Sequence, residues 1–339
     1  MGAPSRQAEG PLRTSSDLNL RDRLGHLRCR IGSYRMRHAV KPGLYSLGSP
    51  DEASDVFVTG NYKMSFDMLR SSLSGMDAWI LVLDTRGINV WCAAGKGTFG
   101  TGELVKKVFT ERLHERVSHR RLILPQLGAP GVSAHDVKKE TGFRVVYGPV
   151  RASDIKGFVS SGYKCGEGMR KVRSGMADRF VLTPMELRPA FKWFMAFSAA
   201  AFAASAVTAS GVSLDAALDY GLPLVLLGLV SVLAGALLTP MFLPYIPFRP
   251  FALKGWLTGL FSVLAASVFI PLPESAAYRH MTLVFFPLAS SYFALQFTGS
   301  STYTGISGVE KELRFALPVY AAGLIVSIAF FASFKAGWL

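Results

Sequence analysis

The distribution of apolar residues divides this chain near residue 192 and limits what it can fold into. From Trp193 onward five apolar stretches follow one another, each close to the ~20 residues that a helix needs to cross a bilayer. The predicted spans are 193–212, 222–241, 252–271, 281–298 and 315–334. Backbone polar groups in lipid must be satisfied within the segment, so helices are expected. We therefore predict an all-α membrane domain of five transmembrane helices over 193–339, after a linker over 181–192.

Positive charges near the ends of these stretches predict the orientation of the chain. Six Lys or Arg residues lie on one side and two on the other. The six are Arg188, Lys192, Arg249, Lys254, Lys311 and Arg314, and the two are Arg279 and Lys335. By the positive-inside rule, the N-terminal half is cytoplasmic and the C-terminus lies outside the inner (cytoplasmic) membrane.

The net charge of +14 is concentrated before the first predicted span. A basic chain can bind nucleic acid, anionic lipid or acidic small molecules, and the position of the charge here favours lipid over nucleic acid. Residues 1–45 carry nine Lys or Arg against three Asp or Glu, without a clear hydrophobic period. We expect a poorly ordered basic tail there, or alternatively a docking arm. The polar first residues predict no signal peptide.

Residues 46–180 alternate strand-like and helix-like runs, which predicts an α/β domain. Residues 78–84 form a continuous apolar run, typical of a central strand buried on both faces. Strands are also expected at 56–59, 121–125 and 143–147. Repeated β-α units indicate a Rossmann-like, mostly parallel sheet, in which ligands bind beyond the carboxyl ends of the strands. The loops expected at that edge are 59–62, 84–94, 125–132 and 148–150.

Cys92 is the most informative of three cysteines, which with Cys29 and Cys165 form no C-x-x-C pair. The sparse count argues against a disulfide framework and a protein-held zinc or iron–sulfur site, and fits a reducing compartment. Asn89 is a plausible N-cap, which puts Cys92 in the first turn of a short helix near 89–96, where backbone amides favour a thiolate. The small neighbours of Cys92 would let a large, flat group approach. The alternative is a small buried hydrophobe, the commonest fate of a free Cys.

Two nucleotide-binding motifs fit the same segment poorly. Val90 stands where a P-loop requires its first glycine, and Gly97 follows Lys96 where that motif requires Ser or Thr. Residues 95–100 match G-x-G-x-x-G, but they do not directly follow a strand. In addition, no acidic residue lies near the end of the next strand to hold a ribose.

The string NVWCAAGKGTFGTGELVKKV at 89–108 resembles the signature of the mercury-methylation corrinoid protein family, HgcA. Four further segments are similar to the corrinoid domain in the large subunit of the corrinoid iron–sulfur protein of acetyl-CoA synthesis. They are VTGNY at 58–62, VLDTRGINVW at 82–91, LPQLGAPGV at 124–132 and TGFRVVYGPV at 141–150. That relative carries no Cys at this position, whereas the Cys-bearing helix and the five-span tail are specific to the mercury family. The resemblance covers about residues 45–339.

The resemblance implies an α/β corrinoid-binding domain whose cap helix lies beneath a base-off, cobalamin-type corrinoid. Cys92 would be the lower axial ligand of the cobalt, and further residues would form the cap or line the macrocycle. The implied cofactor-binding residues are Thr59, Gly60, Asn61, Asn89, Val90, Trp91, Cys92, Ala93, Ala94, Gly95, Lys96, Gln126, Leu127, Gly128, Tyr147, Gly148, Pro149 and Val150. For the glycines at 60, 128, 131 and 148, taken one by one, an ordinary turn is the simpler interpretation.

By the same resemblance, the chain is expected to be a membrane-anchored methyltransferase that passes a methyl group from methyl-Co(III) corrinoid to Hg(II), forming methylmercury. A thiolate is a strong, soft donor, which suits delivery of a carbanion-like methyl group to a soft electrophile. The implied partners are ferredoxin-like HgcB, with two 4Fe–4S clusters as reductant, and a methyltetrahydrofolate-linked methyl donor. Two alternatives stay open: a corrinoid methyl carrier for a different acceptor, and a non-catalytic membrane scaffold with a structural Cys92.

Overall fold

The structure, a computed structural model, describes residues 10–300 and 306–337. The chain forms two compact units, Met1–Val172 and Arg173–Leu339. The boundary between the two units falls between Val172 and Arg173, before the linker predicted at 181–192. Residues 181–192 are not a linker but part of a continuous helix, Met176–Ala206.

The first unit is built on a six-stranded mixed sheet. Its strands are β1 (Leu12–Thr14), β2 (Gly43–Leu47), β3 (Val56–Gly60), β4 (Ala78–Leu83), β5 (Arg121–Leu124) and β6 (Arg144–Tyr147). Their order across the sheet is β1-β2-β4-β3-β5-β6. Strands β4, β3, β5 and β6 are parallel, whereas β2 runs antiparallel to β4. The predicted α/β class with a mostly parallel sheet is confirmed.

Helices cover both faces of this sheet. They are α1 (Leu20–Ile31), α2 (Lys63–Ser72), α3 (Val90–Gly95), α4 (Thr101–Thr110), α5 (Leu113–Arg116), α6 (Ala134–Thr141) and α7 (Ile155–Ser160), with 3₁₀ turns at Ser33–Met36, Gln126–Gly128 and Ala152–Asp154. Leu81 joins the core beneath α4 with Leu104, and Ile80 joins the opposite core beneath α2 with Phe66. All of β4 is buried, as its continuous apolar run predicts.

The N-terminal segment differs from the expected basic tail. β1 pairs in parallel with β2, and α1 begins at a capping box formed by Asn19 and Asp22. Ion pairs between residues distant in sequence help to hold this segment, and hydrophobic periodicity in the sequence does not reveal them. Its residues therefore extend the sheet of the first unit.

An ion cluster joins α1 to α2. The Lys63 ammonium lies 2.6 Å from an Asp22 oxygen and 2.7 Å from Asp67. The Arg70 guanidinium lies 2.7 Å from each of the same two carboxylates. Asp67 is fully buried and Arg70 nearly so, which makes each charge depend on its partners.

Replacing Asp67→Asn should release α1 and β1 from the sheet, because the buried Arg70 and the half-buried Lys63 lose a shared carboxylate. We expect the free energy of unfolding to fall by about 3 kcal/mol. Hydrogen exchange of the α1 amides in the full chain measures this loss. The matched variant Asp17→Asn changes an exposed carboxylate and should leave protection unchanged; equal protection in both variants would contradict the prediction.

The second unit is helical. Its elements are α8 (Met176–Ala206), a short hairpin of β7 (Val207–Thr208) and β8 (Gly211–Val212), α9 (Leu214–Ala216), α10 (Leu222–Leu233), α11 (Thr239–Phe242), α12 (Phe251–Ser267), α13 (Ala276–Gln296) and α14 (Ile306–Lys335), with π-helical turns at Ala217–Gly221 and Ala234–Leu238 and a 3₁₀ turn at Phe297–Ser300. Each predicted span overlaps a helix. Lys254, counted above among the loop charges, lies within α12 and donates to the carbonyl oxygens of Leu243 and Ile246.

Two described helical segments, Leu214–Phe242 and Ser307–Lys335, are long and apolar enough to cross a membrane, by length and composition alone. The apolar helix α12 is shorter, at 17 residues, than the ~20 that a span needs. The five-span topology and its orientation therefore stay predictions. In Ser307–Lys335, 17% of the most apolar 18-residue window is buried within the protein. The protein itself therefore leaves most of this apolar surface exposed.

Candidate functional site

The loops after β3, β4, β5 and β6 lie at one edge of the sheet, because these four strands point the same way. Ligands of open α/β sheets bind at this edge. Every cofactor-binding residue expected from the resemblance lies on or directly beside these loops. The fold therefore brings the four predicted segments to one end of the first unit.

Cys92 lies in the first turn of α3, which follows β4. Its backbone N–H donates to the side-chain oxygen of Asn89 at 2.9 Å, so Asn89 is the N-cap, as the sequence predicts. The Cys92 side chain is exposed. The interpretation of Cys92 as a buried packing residue is therefore wrong.

Helix α3 has an exposed face and a buried face. Trp91, Cys92, Gly95 and Lys96 are exposed, and Trp91 leaves 44% of its surface open. The opposite face, formed by Val90, Ala93 and Ala94, is buried in the core. The small residues Ala93 and Ala94 therefore let the helix approach the protein core, whereas we expected them to admit a ligand.

A close contact beneath α3 depends on Gly131. A Cβ atom there would lie 2.1 Å from the Phe99 carbonyl oxygen and 3.0 Å from the Ala94 Cα. Gly128 similarly lies against the buried Phe99 ring. Neither glycine has a positive φ angle, so close approach rather than an unusual turn requires them.

Asn61 organises the loop between β4 and α3. Its side-chain oxygen accepts hydrogen bonds from the Thr85 N–H at 3.0 Å, the Thr85 hydroxyl at 2.9 Å and the Gly87 N–H at 2.9 Å. Its amide nitrogen donates to Asp84 at 3.3 Å. Asn61 is buried, as are the neighbouring Thr59 and Gly60. These three predicted contacts support the site from behind rather than presenting side chains to a ligand.

The other two loops contribute half-buried side chains. Gln126, Leu127, Tyr147 and Val150 are partly accessible, whereas Gly128, Gly148 and Pro149 are buried. The Tyr147 hydroxyl donates to the Val132 carbonyl at 2.5 Å. Burial raises the pKa of this phenol, so it stays protonated and keeps this bond at neutral pH.

Gln126 carries an unused acceptor. Among the residues that the structure describes, its buried side-chain oxygen has no hydrogen-bond partner. A buried acceptor of this kind costs free energy unless it is paired. Because it is buried, this oxygen would meet an N–H donor of a ligand at this edge of the sheet only after the side chain turned outward.

Some supporting residues were missed by sequence reasoning. Thr85 and Phe99 position α3 through side-chain and backbone contacts that leave no periodic pattern in the sequence, and Gly131, expected at most as a turn, is needed for close approach. Thr101 is the first residue of α4, and Gly100 is its N-cap. The Thr101 hydroxyl accepts the Ser133 N–H at 2.9 Å, which joins two of the loops.

The donor set is a single thiol. Within residues 10–300 and 306–337, no group of three or more His, Cys, Asp or Glu side chains is arranged to hold a metal ion. Cys29 is buried, and the half-buried Cys165 thiol lies 3.8 Å from the Tyr147 carbonyl oxygen. An isolated, exposed thiol suits a metal that brings its other ligands in a macrocycle, and thiolate is a soft ligand.

Comparisons with known proteins cover this unit. Residues 26–159 match the family described as CO dehydrogenase/acetyl-CoA synthase delta subunit. Over 134 residues the chain is 36% identical to the acetyl-CoA decarbonylase/synthase complex subunit gamma of Methanopyrus kandleri, covering 39% of this chain and 28% of that protein. The subunit gamma of Archaeoglobus fulgidus is 31% identical over 126 residues, covering 37% and 26%, and that of Methanocaldococcus jannaschii 33% over 138 residues, covering 40% and 28%.

This chain thus spans about a quarter of the length of these relatives. The similarity of the first unit to subunits of acetyl-CoA synthesis agrees with the resemblance found in the sequence. The closer assignment to the mercury-methylation family stays a prediction.

Replacing Gly131→Ala should displace α3, because the new methyl group would overlap the Phe99 carbonyl. We expect destabilisation of about 1–3 kcal/mol and faster hydrogen exchange of the α3 amides. In the control Gly102→Ala, the added Cβ meets nothing within 4 Å, and the amides should exchange at the parent rate. Parent-like exchange in Gly131→Ala would show that α3 does not depend on this contact.

Proposed function

We propose that the first unit binds a corrinoid at the carboxyl edge of its sheet, with Cys92 as the lower axial ligand of a base-off cobalt. The observation that carries the proposal is the exposed thiol of Cys92 on a capped turn at this edge. The similarity to acetyl-CoA decarbonylase/synthase subunits supports it independently. When bound, a corrinoid supplies a cobalt atom that carries a methyl group and passes it to an acceptor.

The side chains have distinct tasks in this proposal. Asn89 caps the turn and thereby fixes the backbone of Cys92. The Cys92 thiol gives up its proton on metal binding, since a thiolate is the ligating form. Trp91 offers an exposed aromatic surface to the apolar parts of the macrocycle. Gln126 offers its unpaired oxygen to an amide N–H, a group that corrinoids carry at their periphery.

The remaining contacts in the proposal come from the same loops. Lys96 and Gly95 complete the exposed face of α3, and Leu127 and Val150 lie on the two partly accessible loops. Asn61 and Tyr147 act indirectly, because their polar atoms bond to the protein itself. The buried residues of the predicted set stabilise the loops that carry the exposed ones.

We further propose that the acceptor is Hg(II) and that the protein is a membrane-anchored methyltransferase. This step is supported by the resemblance of residues 89–108 to the mercury-methylation family and by the affinity of soft metals for soft ligands. The ferredoxin-like HgcB as reductant, the methyltetrahydrofolate-linked donor and the inner-membrane location belong to the same proposal. Two long apolar helices support the membrane anchor.

Cys92→Ala tests the site. In the full chain loaded with a methylated corrinoid, this variant should form methylmercury at least about 100-fold more slowly. Mutation of residues that only hydrogen-bond to a metal ligand lowers metal affinity or activity about 10- to 100-fold, and this variant removes the ligand itself. Because Cys92 is exposed, the fold should survive.

The matched controls are Cys165→Ala and Cys29→Ala, in which the parent rate should be retained within about two-fold. Full activity in Cys92→Ala would refute the ligand assignment. Strong loss in either control would reveal a second thiol that handles mercury.

A second candidate is a corrinoid methyl carrier for a different acceptor. The relatives favour it, because their names describe subunits of a complex that handles acetyl-CoA, and a subunit implies protein partners. The two candidates differ in acceptor preference. Methyl transfer to Hg(II) should exceed transfer to a simple thiol by at least about ten-fold, a difference of about 1.4 kcal/mol in the barrier. The reverse preference would favour the second candidate.

A further inference from the structure

The second unit contains a cavity of about 740 Å³ between the first turns of α12 and α14 and the later turns of α13. Two chemically different regions line it. The cationic region contains Arg249 and Lys311, and the apolar region includes Leu253, Trp256, Phe315 and Val319. Such a division suits a ligand with an anionic head and an apolar tail.

The cavity wall along α14 is polar at its start and apolar further on, which suits the head and the first part of an acyl chain. Along α14 the whole wall extends from Gly308 to Tyr320, about 18 Å of helix rise, and its apolar part from Phe315 to Tyr320 covers about 8 Å of this. A second apolar cavity of about 430 Å³ shares Leu288 and Tyr320 with the first, so a second chain could lie beside it.

The two cations are available for a ligand. Both Arg249 and Lys311 are exposed, and neither has an ion-pair partner among the residues that the structure describes. Arg249 lies two residues before α12, and Lys311 lies in the second turn of α14. Trp256 lies about two turns further along the chain from Arg249, and tryptophan is enriched at membrane interfaces.

The one carboxylate in the lining has a different partner. Glu312 accepts the Ala252 N–H at 3.1 Å, so it occupies the N-terminus of α12. With Glu312 held at the helix N-terminus, the formal charge of the lining from Arg249, Lys311 and Glu312 is still positive, which is complementary to a phosphate.

We propose that this cavity binds an anionic phospholipid, with its phosphate between Arg249 and Lys311 and an acyl chain along Trp256 and Val319. The inference rests on insertion of the second unit into a membrane and is independent of the methyl-transfer proposal. A bound lipid of this kind would cover apolar surface that the protein leaves open between α12 and α14.

The test uses the purified full chain in a neutral detergent. It would be titrated with phosphatidylglycerol or phosphatidylcholine, and bound lipid would be counted by native mass spectrometry. The variant Arg249→Gln/Lys311→Gln should bind phosphatidylglycerol roughly 30-fold more weakly, because each cation near a membrane surface contributes about a five-fold factor. The matched variant Lys192→Gln/Arg314→Gln removes the same charge outside the cavity lining and should change binding less than two-fold.

Three outcomes would overturn the proposal. Equal weakening in both double variants would show that only overall charge matters. Equal affinity for the two lipids would show that the cations do not recognise the head group. Displacement of phosphatidylglycerol by millimolar inorganic phosphate would assign the site to a free anion instead of a lipid.

A second measurement locates the lipid without relying on the charge variants. Brominated phosphatidylglycerol should quench tryptophan fluorescence more strongly than brominated phosphatidylcholine, and Trp256→Phe should abolish the difference. Identical quenching by both lipids, or a difference that persists in Trp256→Phe, would contradict the assignment.

Discussion

The amide side chain of Asn61 holds the position on which the candidate site depends. Its oxygen accepts three hydrogen bonds from the loop that follows β4, and its nitrogen donates to Asp84 at the start of that loop. The loop leads directly into α3, so its course determines where Cys92 lies. A buried amide with its hydrogen bonds satisfied specifies one arrangement, since any other would leave polar groups unpaired.

The underside of α3 completes this placement. Ala93 and Ala94 face the core, and Gly131 allows the following loop to approach them closely. The buried face thus has the small residues, while the exposed face keeps Trp91 and Cys92 accessible. A helix of six residues is too short to be stable on its own in water. These contacts therefore stabilise α3 and fix the position of the exposed Cys92 thiol.

The sequence predicted the parts of the first unit that follow from local pattern. The continuous apolar run of β4 and the N-cap at Asn89 both have a direct local signature, and both are found. Asn61 was expected to contact a ligand, but its side chain bonds to the loop after β4. Residue type does not distinguish these roles, because an amide can bond either to a ligand or to a loop. The N-terminal segment was expected to be a tail, but it is attached to the sheet partly through ion pairs with Asp67 and Arg70. Local sequence pattern does not show such pairs, because their partners are distant in sequence.

In the second unit, composition located the helices, since each predicted span overlaps one, whereas the number of spans stays a prediction. Length and apolarity identify two described segments that could cross a membrane, whereas α12 is short and contains Lys254. The cavity between α12 and α14 had no sequence signal, since its lining comes from three helices. Tertiary packing alone brings its cations and apolar side chains together.

Cobalt X-ray absorption spectroscopy on the full chain loaded with a corrinoid tests the central claim most directly. The account predicts a sulfur atom among the ligands of cobalt in the parent protein, and its replacement by a lighter atom in Cys92→Ala. A sulfur ligand that persists in Cys92→Ala, or its absence from the parent protein with corrinoid bound, would contradict the assignment of Cys92.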